Sequence, residues 1–224
     1  MTRRSGDRVM LALLHTSPVH VPVFDALRDI DHPGLALRHL VDESLLERAR
    51  TAGPDAVADD VRALLASAVA DGAGAVLCTC STIGGVAEAQ SAAVGVPVLR
   101  VDRPMAAAAV EAGRAVAVVA ALESTLAPTV ALVEEEAARA GRAVDVTTVL
   151  VAGAWERFEA GDRDGYRDLV AAAVDGLTGV DVVVLAQASM APAADRTATT
   201  VPVLSSPRPG LRAAADNTAY AEPS

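Results

Sequence analysis

What most restricts the fold of this chain is that it is written twice. Arg8–Ser17 lies over Ala115–Ser124 at a spacing of 107 residues, and the same spacing carries Val76-Leu77-Cys78-Thr79-Cys80 onto Val183-Val184-Leu185-Ala186-Gln187. A third pair, Val96-Pro97-Val98-Leu99 and Val201-Pro202-Val203-Leu204, repeats at 105, and Pro104 and Pro209 follow. These continuous apolar runs ending in small polar turns read as buried strands. Between them the period becomes helical: Asp55–Ala70 puts Val57, Val61, Leu64, Leu65 and Ala68 on one stripe, and Arg167–Leu177 answers it in the second half. Strand alternating with helix predicts parallel sheets covered by helices. The expected fold is α/β, two pseudosymmetric parallel-sheet (flavodoxin-like) units related by internal duplication. Residues 1–103 with 205–224 form the first and 104–204 the second. Ligands in such sheets bind beyond the carboxyl ends of the strands, which here places a site between the two units. Ala213–Ser224 reads as a loose tail.

Composition narrows the chemistry. Half of the 224 residues are apolar (52%) but only 2% are aromatic, so the core is Ala, Val and Leu and aromatic stacking platforms are largely excluded. All 19 basic residues are arginine, which rules out lysine Schiff-base and pyridoxal-phosphate chemistry. A net charge of −10 argues against a nucleic-acid partner and favours a small soluble substrate. The apolar stretch Val9–Leu14 behind Arg3, Arg4 and Arg8 is shorter than a signal-peptide core, and no run approaches a membrane span. The two cysteines, Cys78 and Cys80, lack the geometry of a disulfide, and free thiols point to a cytoplasmic protein.

Cys80 is the leading catalytic candidate. In Cys80-Ser81-Thr82-Ile83-Gly84-Gly85 it follows a buried strand and opens a helix, where free backbone N–H groups favour a thiolate. Ser81 and Thr82 add hydroxyl donors beside those N–H groups, a pocket for a carboxylate or developing enolate. Cys78, inside the strand, reads as core.

The Cys80-Ser81-Thr82 turn after Val76-Leu77 resembles the first cysteine motif of the aspartate/glutamate/hydantoin racemase superfamily. The resemblance spans nearly the whole chain. It takes in His15-Thr16-Ser17-Pro18, His39-Leu40-Val41-Asp42-Glu43-Ser44 and Val201-Pro202-Val203-Leu204-Ser205-Ser206-Pro207. It implies two cysteines that exchange a proton across the substrate's α-carbon with no metal or organic cofactor, a small carboxylate substrate, and a homodimer. The second cysteine is missing: position 187 is Gln, within Gln187-Ala188-Ser189-Met190. An amide cannot act as a general base. Standard two-base racemisation would then need Ser189, His15 or a residue outside the motif as its second proton carrier. Two similar groups show one-sided alternatives. Arylmalonate decarboxylases keep only the second-half cysteine, and maleate cis-trans isomerases use the first as a nucleophile.

The expected activity is therefore cofactor-independent, isomerase-type proton transfer α to a carboxylate through an enolate-like intermediate. The alternatives are a one-cysteine lyase of decarboxylase type, a cis-trans isomerase acting by thiolate addition, and a non-catalytic binder of small carboxylates. His15 and Ser17 of the first-strand loop, Ser81, Thr82, Gln187 and Ser189 are expected to bind substrate, with His15 as an acid or as a cation for a carboxylate. Ser124 and Thr125, in the second-half loop, are expected to cap the helix that runs to Ala140 and to present N–H groups to the ligand. Ser205 and Ser206 either close the pocket or form a turn. His20, His32 and His39 lie apart at spacings that form no metal face. Asp42 and Glu43 start a helix that turns Leu45 and Leu46 inward. Gly72-Ala73-Gly74 reads as a turn, and Asp162-Arg163-Asp164-Gly165 is too short for a calcium loop.

Overall fold

The computed structural model describes residues 10–219, so Arg3, Arg4, Arg8 and Val9, and the tail beyond residue 219, lie outside the described residues. The chain divides into two compact units. One runs to Val101 and resumes at Gly210, and the other is Asp102–Pro209.

The first unit contains β1 (Met10–His15), α1 (Val21–Asp31), β2 (Ala36–Val41), α2 (Ser44–Ala52), α3 (Ala58–Ala70), β3 (Ala73–Cys78), α4 (Ser81–Glu88), α5 (Ser91–Val94) and β4 (Val98–Arg100). The second contains α6 (Arg103–Ala112), β5 (Ala115–Ala120), α7 (Leu126–Ala140), β6 (Asp145–Leu150), α8 (Ala154–Glu159), α9 (Arg163–Asp175), β7 (Val182–Leu185) and β8 (Val203–Ser205). The last helix, α10 (Pro207–Ala219), crosses the boundary at Gly210.

Each unit has a four-stranded, all-parallel sheet, in the orders β2-β1-β3-β4 and β6-β5-β7-β8. The period-2 alternation of strand side chains sorts the apolar runs onto two faces. In the first unit Ala12, Leu14, Val76 and Cys78 pack with α2, α3 and α4, whereas Leu11, Leu13, Ala75 and Leu77 pack with Phe24 of α1 and with Leu211 and Ala214 of α10. Cys78 is core, as its strand position requires. In the second unit Val116, Val118 and Val184 face α6 and α7, while Val119, Val183 and Leu185 face α8 and α9.

The duplication extends to single hydrogen bonds. Thr79 N donates to Leu14 O as Ala186 N does to Val119 O, and Val76 N donates to Pro97 O as Val183 N does to Pro202 O. These pairs also correct one register. β3 and β7 correspond at 107, but Leu14 pairs with Cys78 and Val119 with Leu185, so β1 and β5 correspond at 105 (119 less 14). Uniform Ala/Val strands carry too little individuality to fix a two-residue slip. The counterpart of His15 is thus Ala120 and not Leu122.

Three further expectations change. The stripe of α3 is buried as expected, although a short 3-10 turn over Pro54–Val57 precedes it, and α9 starts earlier than Arg167 because the Asp162 side chain accepts from Gly165 N at 2.9 Å and caps it. That capping is the role of the Asp162 loop. Ala213–Ser224 is no loose tail as far as residue 219: α10 is helical and buries Leu211 and Ala214 in the first unit. Gly72 takes φ +100 in the turn before β3, while Ala73 and Gly74 are already in the strand.

Candidate functional site

Cys80 stands at the turn between β3 and α4. Its backbone is extended (φ −110, ψ 116) and it occupies the N-cap position of α4, with no side-chain bond to the helix. Parallel strands feeding helices leave the first N–H groups of each helix without intrahelical partners, which is the feature an anion uses. Cys80 is a free, half-buried thiol, and Ser81 and Thr82 behind it are each 5% exposed. Its own carbonyl oxygen accepts from the Cys78 thiol at 3.7 Å, and Thr79 N ties the turn to β1. Arg100, at the end of β4 and only 6% exposed, lies across the glycines of α4. A Cβ at position 84 would fall 3.1 Å from Arg100 Cβ and 3.3 Å from its Nε, so glycine there makes room for the guanidinium. The sequence reading passed over Arg100; its only signal was one cation at the end of an apolar strand.

His15 occupies a different setting from the one expected. It ends β1 fully buried, with Nδ1 2.8 Å from Thr79 Oγ1 and Nε2 2.8 Å from His39 Nδ1. Burial first, then His20 and His39, lower its pKa to about 3. It is therefore a neutral ring with both nitrogens engaged, and not a cation awaiting a carboxylate. His39 in turn faces Asp25 Oδ1 at 3.3 Å. His20 also lies close, its ring centroid 6.2 Å from that of His15, so His15, His20 and His39 form a cluster where the sequence suggested scattered residues. The β1–β2 pairing, which sets Leu13 beside His39, brings them together. Among the described residues no group of His, Cys, Asp and Glu has the arrangement of a metal centre. Ser17 is half-buried at the start of the short turn Pro18–His20, and its side chain makes no cap bond.

In the second unit Gln187 occupies the position equivalent to Cys80, at the end of β7 ahead of a 3-10 stretch, Ala188–Arg196. Its Oε1 accepts from Ala121 N at 2.7 Å and Leu122 N at 3.0 Å. The carbonyl end is consumed in fastening the loop after β5. Any ligand contact by Gln187 falls to its amide NH2, a donor. Ser189 is bonded to Tyr166 Oη at 2.9 Å, and burial pushes that phenol up to about 12, so Tyr166 remains a neutral hydroxyl. Neither Ser124 nor Thr125 caps α7 through its side chain. Ser124 Oγ and Ser206 Oγ are buried without a hydrogen-bond partner. Asp42, by contrast, does serve the start of α2: its Oδ1 accepts from Ser44 N at 3.0 Å. Leu45 is fully buried and Leu46 half-buried.

The fold is shared with solved structures of racemases and of a decarboxylase. Glutamate racemase from Francisella tularensis, solved with D-glutamate, superposes with a TM-score of 0.70 at 13% identity, covering 94% of this chain and 81% of that one. Glutamate racemase from Bacillus anthracis gives 0.68 at 14% identity, covering 93% and 80%. A mutant of arylmalonate decarboxylase in a sulfate-associated form gives 0.65 at 18% identity, covering 95% and 94%. No curated protein sequence matches the chain. The Asp/Glu/hydantoin racemase family model matches residues 22–214, and the chain belongs to that family.

Proposed function

We propose that the protein is an enzyme that moves a proton at the carbon α to a carboxylate of a small acid, through an enolate-like intermediate, with Cys80 carrying the proton. The observation behind this reading is the placement of Cys80. It is a free, half-buried thiol at the N-cap of α4, beside the first N–H groups of that helix. Ser81 and Thr82, on the same turn, are the proposed substrate-binding groups beside it. Donors held in a dry site supply on the order of a few kcal/mol each toward a developing enolate. The protein's own residues suffice for proton transfer of this kind, so the reading invokes no metal or organic cofactor.

One observation favours a second reading, a lyase. Gln187 offers no base, and its carbonyl is already spent on Ala121 N and Leu122 N. With one proton carrier, the natural reaction is one-sided. The bond to a departing CO2 breaks and its electron pair enters the enolate. The Cys80 thiol then delivers its proton to carbon, and solvent reprotonates the thiolate.

Incubation in D2O with candidate amino acids and with α-substituted malonates separates the readings. Deuterium at the α-carbon without mass loss identifies proton exchange and CO2 release identifies the lyase, and either should fall by about a thousandfold in Cys80→Ala. Ligand protection of Cys80 from iodoacetamide with neither reaction would identify a binder and overturn both.

A further inference from the structure

Behind the cysteine turn, on the α1 face of the first sheet, four side chains form a continuous line of hydrogen bonds: Thr79, His15, His39 and Asp25. Strand parity explains the arrangement. Leu11, Leu13 and Leu77 point to the α1 face, and His15 and Thr79 continue those rows beyond the strand ends. His39 joins them because β2 pairs it with Leu13. The rings of His15 and His39 meet edge to edge, with centroids 5.1 Å and planes 22° apart, and the Phe24 ring lies 5.6 Å from that of His15. The line runs from a fully buried imidazole out to a carboxylate whose side chain is 41% exposed. Arg28 donates to the same carboxylate oxygen at 3.3 Å, and His20 is the other titratable ring beside His15.

Counting protons gives the line a direction. The Asp25 end sets it, because a carboxylate only accepts; the Thr79 hydroxyl, 2.8 Å from His15 Nδ1 and 3.1 Å from Leu14 O, then turns its one hydrogen to the imidazole. His15 Nε2–H then donates to His39 Nδ1, and His39 Nε2–H donates to Asp25. In this direction every nitrogen is satisfied with both rings neutral. The opposite direction would aim a bare His39 Nε2 lone pair at a carboxylate unless that ring took a second proton.

We propose that Asp25, His39, His15 and Thr79 act as one positioning relay for Cys80. The carboxylate on α1 fixes the tautomers of two hydrogen-bonded imidazoles, and these hold the residue that links β3 to the cysteine. None of the four is a reacting group. The relay rests on the reading of Cys80 as the reacting group, but its test needs no substrate.

The measurements are long-range 15N–1H correlation spectra of the imidazoles and the rate at which iodoacetamide alkylates Cys80, assigned by peptide fragmentation. Native His15 should show one tautomer, protonated at Nε2. Asp25→Ala, at an exposed position, should leave the fold intact, let His15 populate both tautomers and slow alkylation about threefold or more. His39→Phe should do the same, and the double variant should be no slower than the worse single one. Thr79→Ser should keep the native rate and Thr79→Val should lose it. A native His15 protonated at Nδ1, a tautomer indifferent to Asp25→Ala, or effects that multiply in the double variant would overturn the relay. A relay that passes with no turnover on any carboxylate would instead count against the enzymatic reading.

Discussion

At the scale of single residues, burial governs which groups can carry charge. The His15 pKa of about 3, against 6.5 for a free histidine, has a thermodynamic consequence. Between those values the unfolded chain holds a proton that the folded one refuses, so this residue makes stability rise with pH across that window and fall on acidification. The slope reaches about 1.4 kcal/mol per pH unit in the middle of the window. His15→Asn should flatten the change in urea-unfolding free energy between pH 4.5 and 7 relative to the native protein, whatever its effect at neutral pH. A slope equal to the native one would mean that the ring is protonated in the folded state.

At the scale of elements, close approach of backbones is the sensitive feature. Gly210 seats α10 against the end of β4: a Cβ there would lie 2.4 Å from Val101 O and 2.6 Å from its Cγ2. Alanine normally favours a helix by about 1 kcal/mol over glycine. Here the obstructing atom is backbone, so Gly210→Ala should lower unfolding free energy by about 1–3 kcal/mol net, measured by chemical denaturation. The same scale shows what sequence could reveal. The central strands β1, β3, β5 and β7 were legible because both of their faces are buried and their runs are unbroken. The outer strands β2 (Ala-Leu-Arg-His-Leu-Val) and β6 (Asp-Val-Thr-Thr-Val-Leu) are half-exposed and interrupted by polar residues, and they carried no such signal. The histidine cluster was hidden for that reason, since β2 delivers His39. The cysteine turn could be read because strand, small residues and helix start are contiguous in the chain. The fastening of Gln187 to Ala121 and Leu122 could not, because it spans 66 and 65 residues.

At the scale of the whole molecule, the two halves of the sequence are not the two units of the structure. The helix after β4, α6, packs in the second unit, and its counterpart after β8, α10, packs in the first. A chain stopped at Pro209 should therefore damage the first unit selectively. Without Leu211 and Ala214, the face formed by Leu11, Leu13 and Leu77 loses its cover. Amide hydrogen exchange should speed up across β1 and β3 and stay slow in β5 and β7, and uniform loss of protection would refute this. The exchange of helices also orders events on the ribosome. Every residue of the second unit has been synthesised before Gly210 appears, so the unit that begins first finishes last, and the turn bearing the thiol belongs to the late one.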